Sequence, residues 1–456
     1  MILTVQRPQP PATAAVLPAG WTVKGTGNQV DTGTTINEYR GDPPQLTEPC
    51  NQMRVSGLVF SQGYKVSGAM NEVYDGEHMV SSRGPGSHSG GAGRQGCRIP
   101  LVESARDSQV AAEGAPMPRT TPPRPVDIAS VFPELAPLAR QAVRLHPRAG
   151  RPSVHDSSVG GPLLWPVDEP WPACAEEHHN WQPPVSLGDV RRKRALLEAA
   201  WLRPREPHEN LLDPGQRAYL DELRAGHPAH TGPNALLPVA QLYLRDVPQL
   251  AGPEGADLLQ VLWCPLDHDN ALPAARLVWR NTASVGTLLT DPPEPADVEH
   301  YGSYVPEPCV LHPEVVTEYP APHELPRELA DRLYGWGEKQ EEDQEEGPGG
   351  AYYQYELSVA PGWKVGGWGP WSFRDPSPMH CASCNAPYKP LFTIDSGEWD
   401  GGSGSWIPLE DREEPSGPVG LRRPADPPMV QIGRSYSMQI YICPTSFDHP
   451  HLEVMQ

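Results

Sequence analysis

An α+β fold, internally duplicated and built of mainly antiparallel sheets with short helices and long Pro/Gly-rich loops, is predicted by three observations. The first is a pair of motifs repeated in order. Residues 259–265 read L-Q-V-L-W-C-P and residues 438–444 read M-Q-I-Y-I-C-P, each followed by Asp-His (Asp267-His268 and Asp448-His449). Upstream, Gly160-Gly161 precedes Trp165-Pro166, Trp171-Pro172 and Cys174, while Gly366-Gly367 precedes Pro370-Trp371, Pro378 and Cys381. The second is that both C-P copies close an apolar, strand-like run. The third is the density of proline (58) and glycine (43), which ends helices, excludes central strand positions and lengthens connections.

The elements follow in order. Residues 1–116 are rich in Gly, Ser, Thr, Gln and Pro, and only V-S-G-L-V-F at 55–60 reads as a strand. Such a stretch buries too little apolar surface to offset its ordering entropy, so a low-complexity, disordered extension is expected, with Met117 as an alternative start and a small separate β domain as the competing reading. Beyond it, Leu135, Leu138, Ala139, Ala142 and Val143 recur at three- and four-residue spacing and predict a helix closed by Pro147. The first repeat half spans 117–269 and carries a helical insertion at 186–232. One helix contains residues 194–201; the other opens at Asp213-Pro214, a cap residue followed by proline at the first helical position. Residues 236–243 and 258–263 read as strands. A connection, 270–350, holds one helix around 325–333 and an acidic run, 338–346, expected as a solvated loop. The second half, 351–456, opens on Y-Y-Q-Y-E-L-S-V, a strand by its period-two alternation. Two such halves are expected to pack as a pseudo-twofold pair, each covering the other's sheet.

Composition narrows the function. A formal net charge of −21 argues against binding nucleic-acid phosphates, and the single basic cluster, Arg191-Arg192-Lys193-Arg194, reads as a solvated helix face. No stretch approaches the ~20 apolar residues that span a bilayer, and the first 20 residues lack a secretory pattern. A cytoplasmic location follows, where the eight cysteines are expected as thiols or metal ligands rather than disulfides.

Cys381-Ala382-Ser383-Cys384 is the sharpest chemical signal. A C-x-x-C turn lets two thiolates reach one tetrahedral metal ion at Zn–S distances of about 2.3 Å, with turn N–H groups free to face the sulfurs. Cys443 and His449, at the end of the second C-P strand, complete the expected zinc site. In the first half the equivalents are Cys174, His178 or His179, Cys264 and His268, a degraded set without the second thiol, so metal is expected in the second half rather than there. Redox exchange at the C-x-x-C needs a helix N-terminus that Asn385, Pro387 and the strand-like 391–394 disfavour. The sequence has no nucleophile-elbow, P-loop or H-E-x-x-H motif and no G-x-G-x-x-G after a strand. Asp168-Glu169 and Glu410-Asp411 are sequence neighbours that point apart in extended chain. The tryptophans at 165, 171, 368, 371, 399 and 406, most of them beside Pro or Gly, are expected to plug loops onto the sheets rather than line a sugar- or peptide-binding groove.

The run from Gly160-Gly161-Pro162 to Trp171-Pro172, then L-P-V-A-Q-L at 237–242 and L-L-Q-V-L-W-C-P at 258–265, resembles the YwqG-like family of uncharacterised bacterial proteins. Lys364-Val365-Gly366-Gly367, Cys381-x-x-Cys384 and Q-I-Y-I-C-P at 439–444 fit the same pattern, so the resemblance covers about residues 132–456. It implies a duplicated α+β protein of the bacterial cytosol and carries over no catalytic residues. The expected function is therefore a non-enzymatic protein-binding module, of toxin-neutralising or adaptor type, with an unidentified protein partner and a structural zinc. The rival is a hydrolase or carbohydrate-active enzyme with its site in the cleft between the repeats.

Overall fold

The structure, a computed structural model, describes residues 118–456 apart from 179–181, 207, 269, 343–351, 373–374 and 413–419. The chain divides into Met1–Val110 and Ala111–Gln456. In the first unit the backbone of six short strands is described. β1 (Thr4–Gln6) pairs with β4 (Arg54–Ser56), β2 (Thr22–Gln29) with β3 (Thr35–Arg40), and β5 (Glu72–Asp75) with β6 (His78–Ser81). The other residues up to 117 lie outside the described ones, and the expectations of a disordered extension and of a start at Met117 fall there.

The second unit is α+β, with two six-stranded antiparallel sheets and few helices. Strands β7 (Arg140–Arg144), β8 (Arg148–Ala149) and β9 (Ser158–Val159) come first, then the β10–β11 pair (Ala173–Cys174 with Asn234–Ala235). β12 (Leu237–Tyr243), β13 (Leu258–Trp263) and β14 (Ala275–Arg280) follow, then β15 (Cys309–Val310) and β16 (Glu314–Glu318). β17 (Lys364–Gly366), β18 (Lys389–Asp395), β19 (Ser437–Ile442) and β20 (Leu452–Met455) end the chain. One sheet runs β14-β13-β12-β9-β15-β8; the other, read from its far edge, runs β20-β19-β18-β17-β7-β16.

Position by position, the two orders are the same, and so are the registers. Gln241 faces Gln260 across β12–β13, as Thr393 faces Gln439 across β18–β19. Each of these ladders shifts register just after a proline, Pro238 or Pro390. A bulge accommodates a residue that has no N–H to give the ladder. Ser158 pairs with Gln241 as Lys364 pairs with Thr393, which makes the two glycine pairs equivalent. The glycines are needed for their backbone: Gly160 and Gly366 take φ of +63° and +70°, and a Cβ on Gly160 would lie 2.8 Å from the Glu307 carbonyl.

The inner flanking strands reveal more than the sequence motifs do. Val143 and Arg144 of β7 pair with Val365 and Lys364; Cys309 and Val310 of β15 pair with Val159 and Ser158. That register aligns Leu145-His146-Pro147 with Leu311-His312-Pro313, a third repeated motif. Each half thus begins two strands earlier than its glycine pair, and each sends the first of those strands into the other half's sheet. The stretch 270–350, expected as a connection, carries the two strands β15 and β16 that do this for the second half. The two sheets share an apolar cluster, with Val159, Leu242 and Val261 packed in the same cluster as Val365, Phe392 and Ile440.

Two local expectations are corrected. The helix expected from 131 to 147 is α1 (Ile128–Val131), a 3-10 turn at Pro133–Leu138, and then β7. Pro137 offers no N–H to a continuing helix, and Ala142 and Val143 instead bury into the sheets. The strand expected at 352–359 is a π-helical turn, Tyr353–Ser358. Tyr353 and Leu357 both enter the cluster around Phe132, Leu329 and Leu333, and Glu356 is buried beside them while Tyr355, which would share their face in a strand, is exposed, so the spacing is helical. The insertion behaves as expected, with α2 (Leu187–Leu202) and α3 (Pro214–Arg224), the latter opened by a capping box between Asp213 and Gln216. α4 (Arg327–Glu342) runs into the acidic stretch, whose continuation at 343–346 lies outside the described residues.

Candidate metal centres

At the sheet end where β13 and β19 finish, each half gathers four side chains of metal-ligating type. In the second half Cys381, Cys384, Cys443 and His449 converge, with one ligand atom from each lying within 4.8 Å of all the others. Cys443 follows β19 directly, and Thr445 N–H faces its sulfur at 3.4 Å. The C-x-x-C turn lies between β17 and β18 and is closed by Cys381 N–H donating to Ala386 O (2.9 Å) and Asn385 N–H donating to Cys381 O (2.8 Å). Asn385 takes φ of +59°, a conformation that suits a knuckle and not the start of a helix. His449 directs Nδ1 at Cys443 Sγ (3.3 Å) and Cys381 Sγ (3.6 Å), and Cys384 Sγ lies 3.4 Å from Cys443 Sγ.

The first half, expected to be the degraded copy, is just as convergent. Cys174, His178, Cys264 and His268 meet the same 4.8 Å criterion. His178 Nε2 lies 3.2 Å from Cys264 Sγ and 3.5 Å from Cys174 Sγ, and His268 Nε2 lies 3.5 Å from Cys174 Sγ. His178 therefore stands where Cys384 stands in the other half; His179 lies outside the described residues. The loop from Cys264 to His268 is two residues shorter than that from Cys443 to His449, and the imidazole offers Nε2 rather than Nδ1. His268 Nδ1 is held 3.1 Å from Leu266 O, which turns Nε2 toward the thiols.

These spacings match the edges of a coordination tetrahedron. Zn–S of about 2.3 Å and Zn–N of about 2.0 Å put sulfur and nitrogen roughly 3.5 Å apart and two sulfurs roughly 3.8 Å apart. Either tetrad could hold a metal ion. Their electrostatics differ. Burial opposes ionisation of Cys443, but the Thr445 N–H, the His449 imidazole and the Ser446 N–H outweigh it and bring the thiol down to about 6. In the first half, burial and then the neighbouring Cys174 push the Cys264 thiol up, and burial with the adjacent His268 holds His178 below its ordinary value.

The remaining candidates are structural. Glu169 forks onto Arg280 (2.7 and 2.9 Å), Asp411 pairs with Arg148, and Glu410 accepts the Thr120 N–H (2.8 Å), so neither carboxylate pair converges on a common point. Indole N–H groups tie loops down: Trp171 to Leu236 O, Trp368 to Leu138 O and Trp406 to Tyr355 O. The basic cluster is not merely a solvated face. Arg194 is largely buried and donates to the carbonyls of Gly302, Val305 and Met429 and to Glu307, while Arg191, Arg192 and Lys193 pair with Glu294, Asp189 and Tyr301 O.

One feature escaped the sequence. His146 is fully buried at φ +44°, with Nδ1 3.2 Å from Glu398 and Nε2 3.3 Å from Glu314. The repeated Leu-His-Pro was its signal. No protein-family model matches the chain, and no curated protein matches it. Among the described residues, no helix is long and apolar enough to cross a membrane.

Proposed function

We propose that the protein is a non-enzymatic, protein-binding module of the YwqG-like kind, acting in the cytoplasm on an unidentified protein partner as a toxin-neutralising or adaptor protein. Its second half is held by a structural zinc on Cys381, Cys384, Cys443 and His449. The observation that carries this is the convergence of four donor atoms, three sulfurs and one nitrogen, at tetrahedral spacing. A fourth protein ligand leaves no coordination position for water or substrate, which is the arrangement of structural rather than catalytic zinc. The Thr445 N–H aimed at Cys443 supplies the outer support such a centre needs. Against the rival hydrolase stands the use of the candidate carboxylates in ion pairs and caps.

The zinc is tested by elemental analysis of purified protein before and after Cys381→Ser. Loss of zinc together with a lowered melting temperature is the expected result, because gathering four separated ligands couples metal binding to folding. Unchanged metal content in a folded variant would remove the centre from the account. The binding role is tested by affinity capture with the purified chain, the expected result being a stoichiometric protein partner; turnover of a glycoside or ester substrate would favour the rival.

A further inference from the structure

We propose that the first half carries a second, chemically distinct metal site: Cys174, His178, Cys264 and His268 bind a borderline-soft divalent cation of the zinc class as a two-thiolate, two-imidazole centre. The inference goes beyond the second-half zinc and stands on separate residues.

Three observations carry it. The first is geometric. The contacts of 3.2–3.5 Å between the sulfurs and the Nε2 atoms are those a tetrahedral ion imposes, whereas uncoordinated imidazoles and thiols have no reason to meet four at a point. The second is the orientation of His268. Its Nδ1 faces the Leu266 carbonyl at 3.1 Å, so the proton belongs on Nδ1 and the Nε2 lone pair points into the cluster, the tautomer a metal ligand requires. The third is topological. Cys264 and Cys443 follow equivalent strands, β13 and β19, in sheets of the same order and register. The ligands themselves come as two C-x3-H units, one on the β10 side and one on the β13–β14 loop, while the second half uses C-x2-C and C-x5-H.

The position suggests what the ion does. β10 and β11 are the two ends of the excursion that carries α2 and α3, and they pair Cys174 against Asn234. A metal on Cys174 and His178 fastens the stem of that insertion to the loop after β13. Two thiolates neutralise a divalent ion, so this centre is formally neutral, while the three-thiolate centre carries one negative charge. Glu176 Oε2 lies 3.6 Å from His268 Nε2 on an exposed side chain, outside the four-atom cage.

The experiment uses the full chain. Metal content is measured on wild type, Cys174→Ser, His178→Gln and Cys381→Ser, and chelator-stripped wild type is titrated with cobalt(II), whose sulfur-to-metal charge-transfer absorption scales with thiolate number. The expected result is two ions per chain, two cobalt-binding phases with absorption near a two-to-three ratio, and loss of the weaker-absorbing ion alone in His178→Gln. Proteolysis within 182–233 should also rise in that variant while the sheets stay intact. If Cys174→Ser does not fold, His178→Gln and the wild-type titration decide. A single ion lost only with Cys381→Ser overturns this inference and leaves the second-half zinc standing. A single ion lost only with Cys174→Ser or His178→Gln does the reverse. No ion and no cobalt uptake overturns both.

Discussion

Removing the Glu318 carboxylate should be among the most damaging single changes in the second sheet. Glu318 and Lys364 are both fully buried, with Lys364 Nζ 2.5 Å from Glu318 Oε1. The same carboxylate accepts N–H groups from Ala360 (2.9 Å) and Trp368 (2.8 Å), and Lys364 Nζ also donates to Trp368 O (2.9 Å). Glu318→Ala strands a buried ammonium and two backbone donors, which should cost about 3–5 kcal/mol, toward the upper end because of the donors. Lys364→Met leaves the carboxylate with both N–H partners and should cost less, about 2 kcal/mol. In the double variant the stranded charge is gone, so its cost should fall short of the sum by about 1–3 kcal/mol. Equilibrium unfolding in guanidinium chloride, completing the double-mutant cycle, measures all three. A Glu318→Ala cost below about 1 kcal/mol, or strict additivity, would refute the reasoning.

Three further outcomes are expected. Burial, then the charges of Arg119, Arg148 and His146, holds the half-buried His312 down at about 4, against a small pull from Asp411. Its folded value lies below the unfolded one, so the unfolded chain binds more protons in between, and stability should fall as pH drops from about 6.5 to 4 by about 1–2 kcal/mol after allowing for solvent screening. Glu398, held low with burial outweighed by His146 and the nearby arginines, adds loss in the acid limb below that window. His312→Asn should flatten the upper part of that slope in urea melts at stepped pH, and an unchanged slope would count against it. Gly160→Ala should cost more than Gly366→Ala. Both pay the left-handed backbone penalty of about 1–2 kcal/mol. Only the Gly160 methyl meets immovable backbone, the Glu307 and Pro306 carbonyl oxygens at 2.8 and 2.9 Å, whereas the nearest atom to one on Gly366 is 3.7 Å away. Equal losses in thermal melts would contradict the difference. Gln260→Leu strands the Leu164 carbonyl and removes the acceptor of Arg280 Nε, and should destabilise by about 2–3 kcal/mol in the same assay.

The parts of the fold legible in the sequence were those written locally. β13 and β19 showed as apolar runs with matched Gln and Cys-Pro, and Asp213-Pro214 marked the start of α3, because strand burial and helix capping depend on near neighbours. The segment 131–147 misled because Leu135, Leu138, Ala142 and Val143 fit helical spacing equally well when a proline-broken 3-10 turn leads into a strand. At 352–359 the step from Tyr353 to Leu357 fits period two and a helical turn alike, and only the burial of Glu356 with the exposure of Tyr355 separates them. The strand exchange through β7 and β15 was invisible for a different reason. Its only sequence trace is the three-residue match Leu145-His146-Pro147 with Leu311-His312-Pro313, and the pairing that gives it meaning is non-local. The second-half cluster is legible from C-x-x-C as a candidate ligand set. In the first half the same candidate residues are legible, with His178 in the place of a thiol, and a nitrogen and a sulfur differ by only about 0.3 Å in their distance to zinc.

Zinc content of the purified chain, measured by mass spectrometry of the native protein beside its Cys381→Ser variant, tests the central claim most directly. The proposed zinc centre predicts a metal adduct on the second-half tetrad, present in the wild type and lost with Cys381. Native protein that folds fully and carries no adduct on Cys381, Cys384, Cys443 and His449 would contradict it.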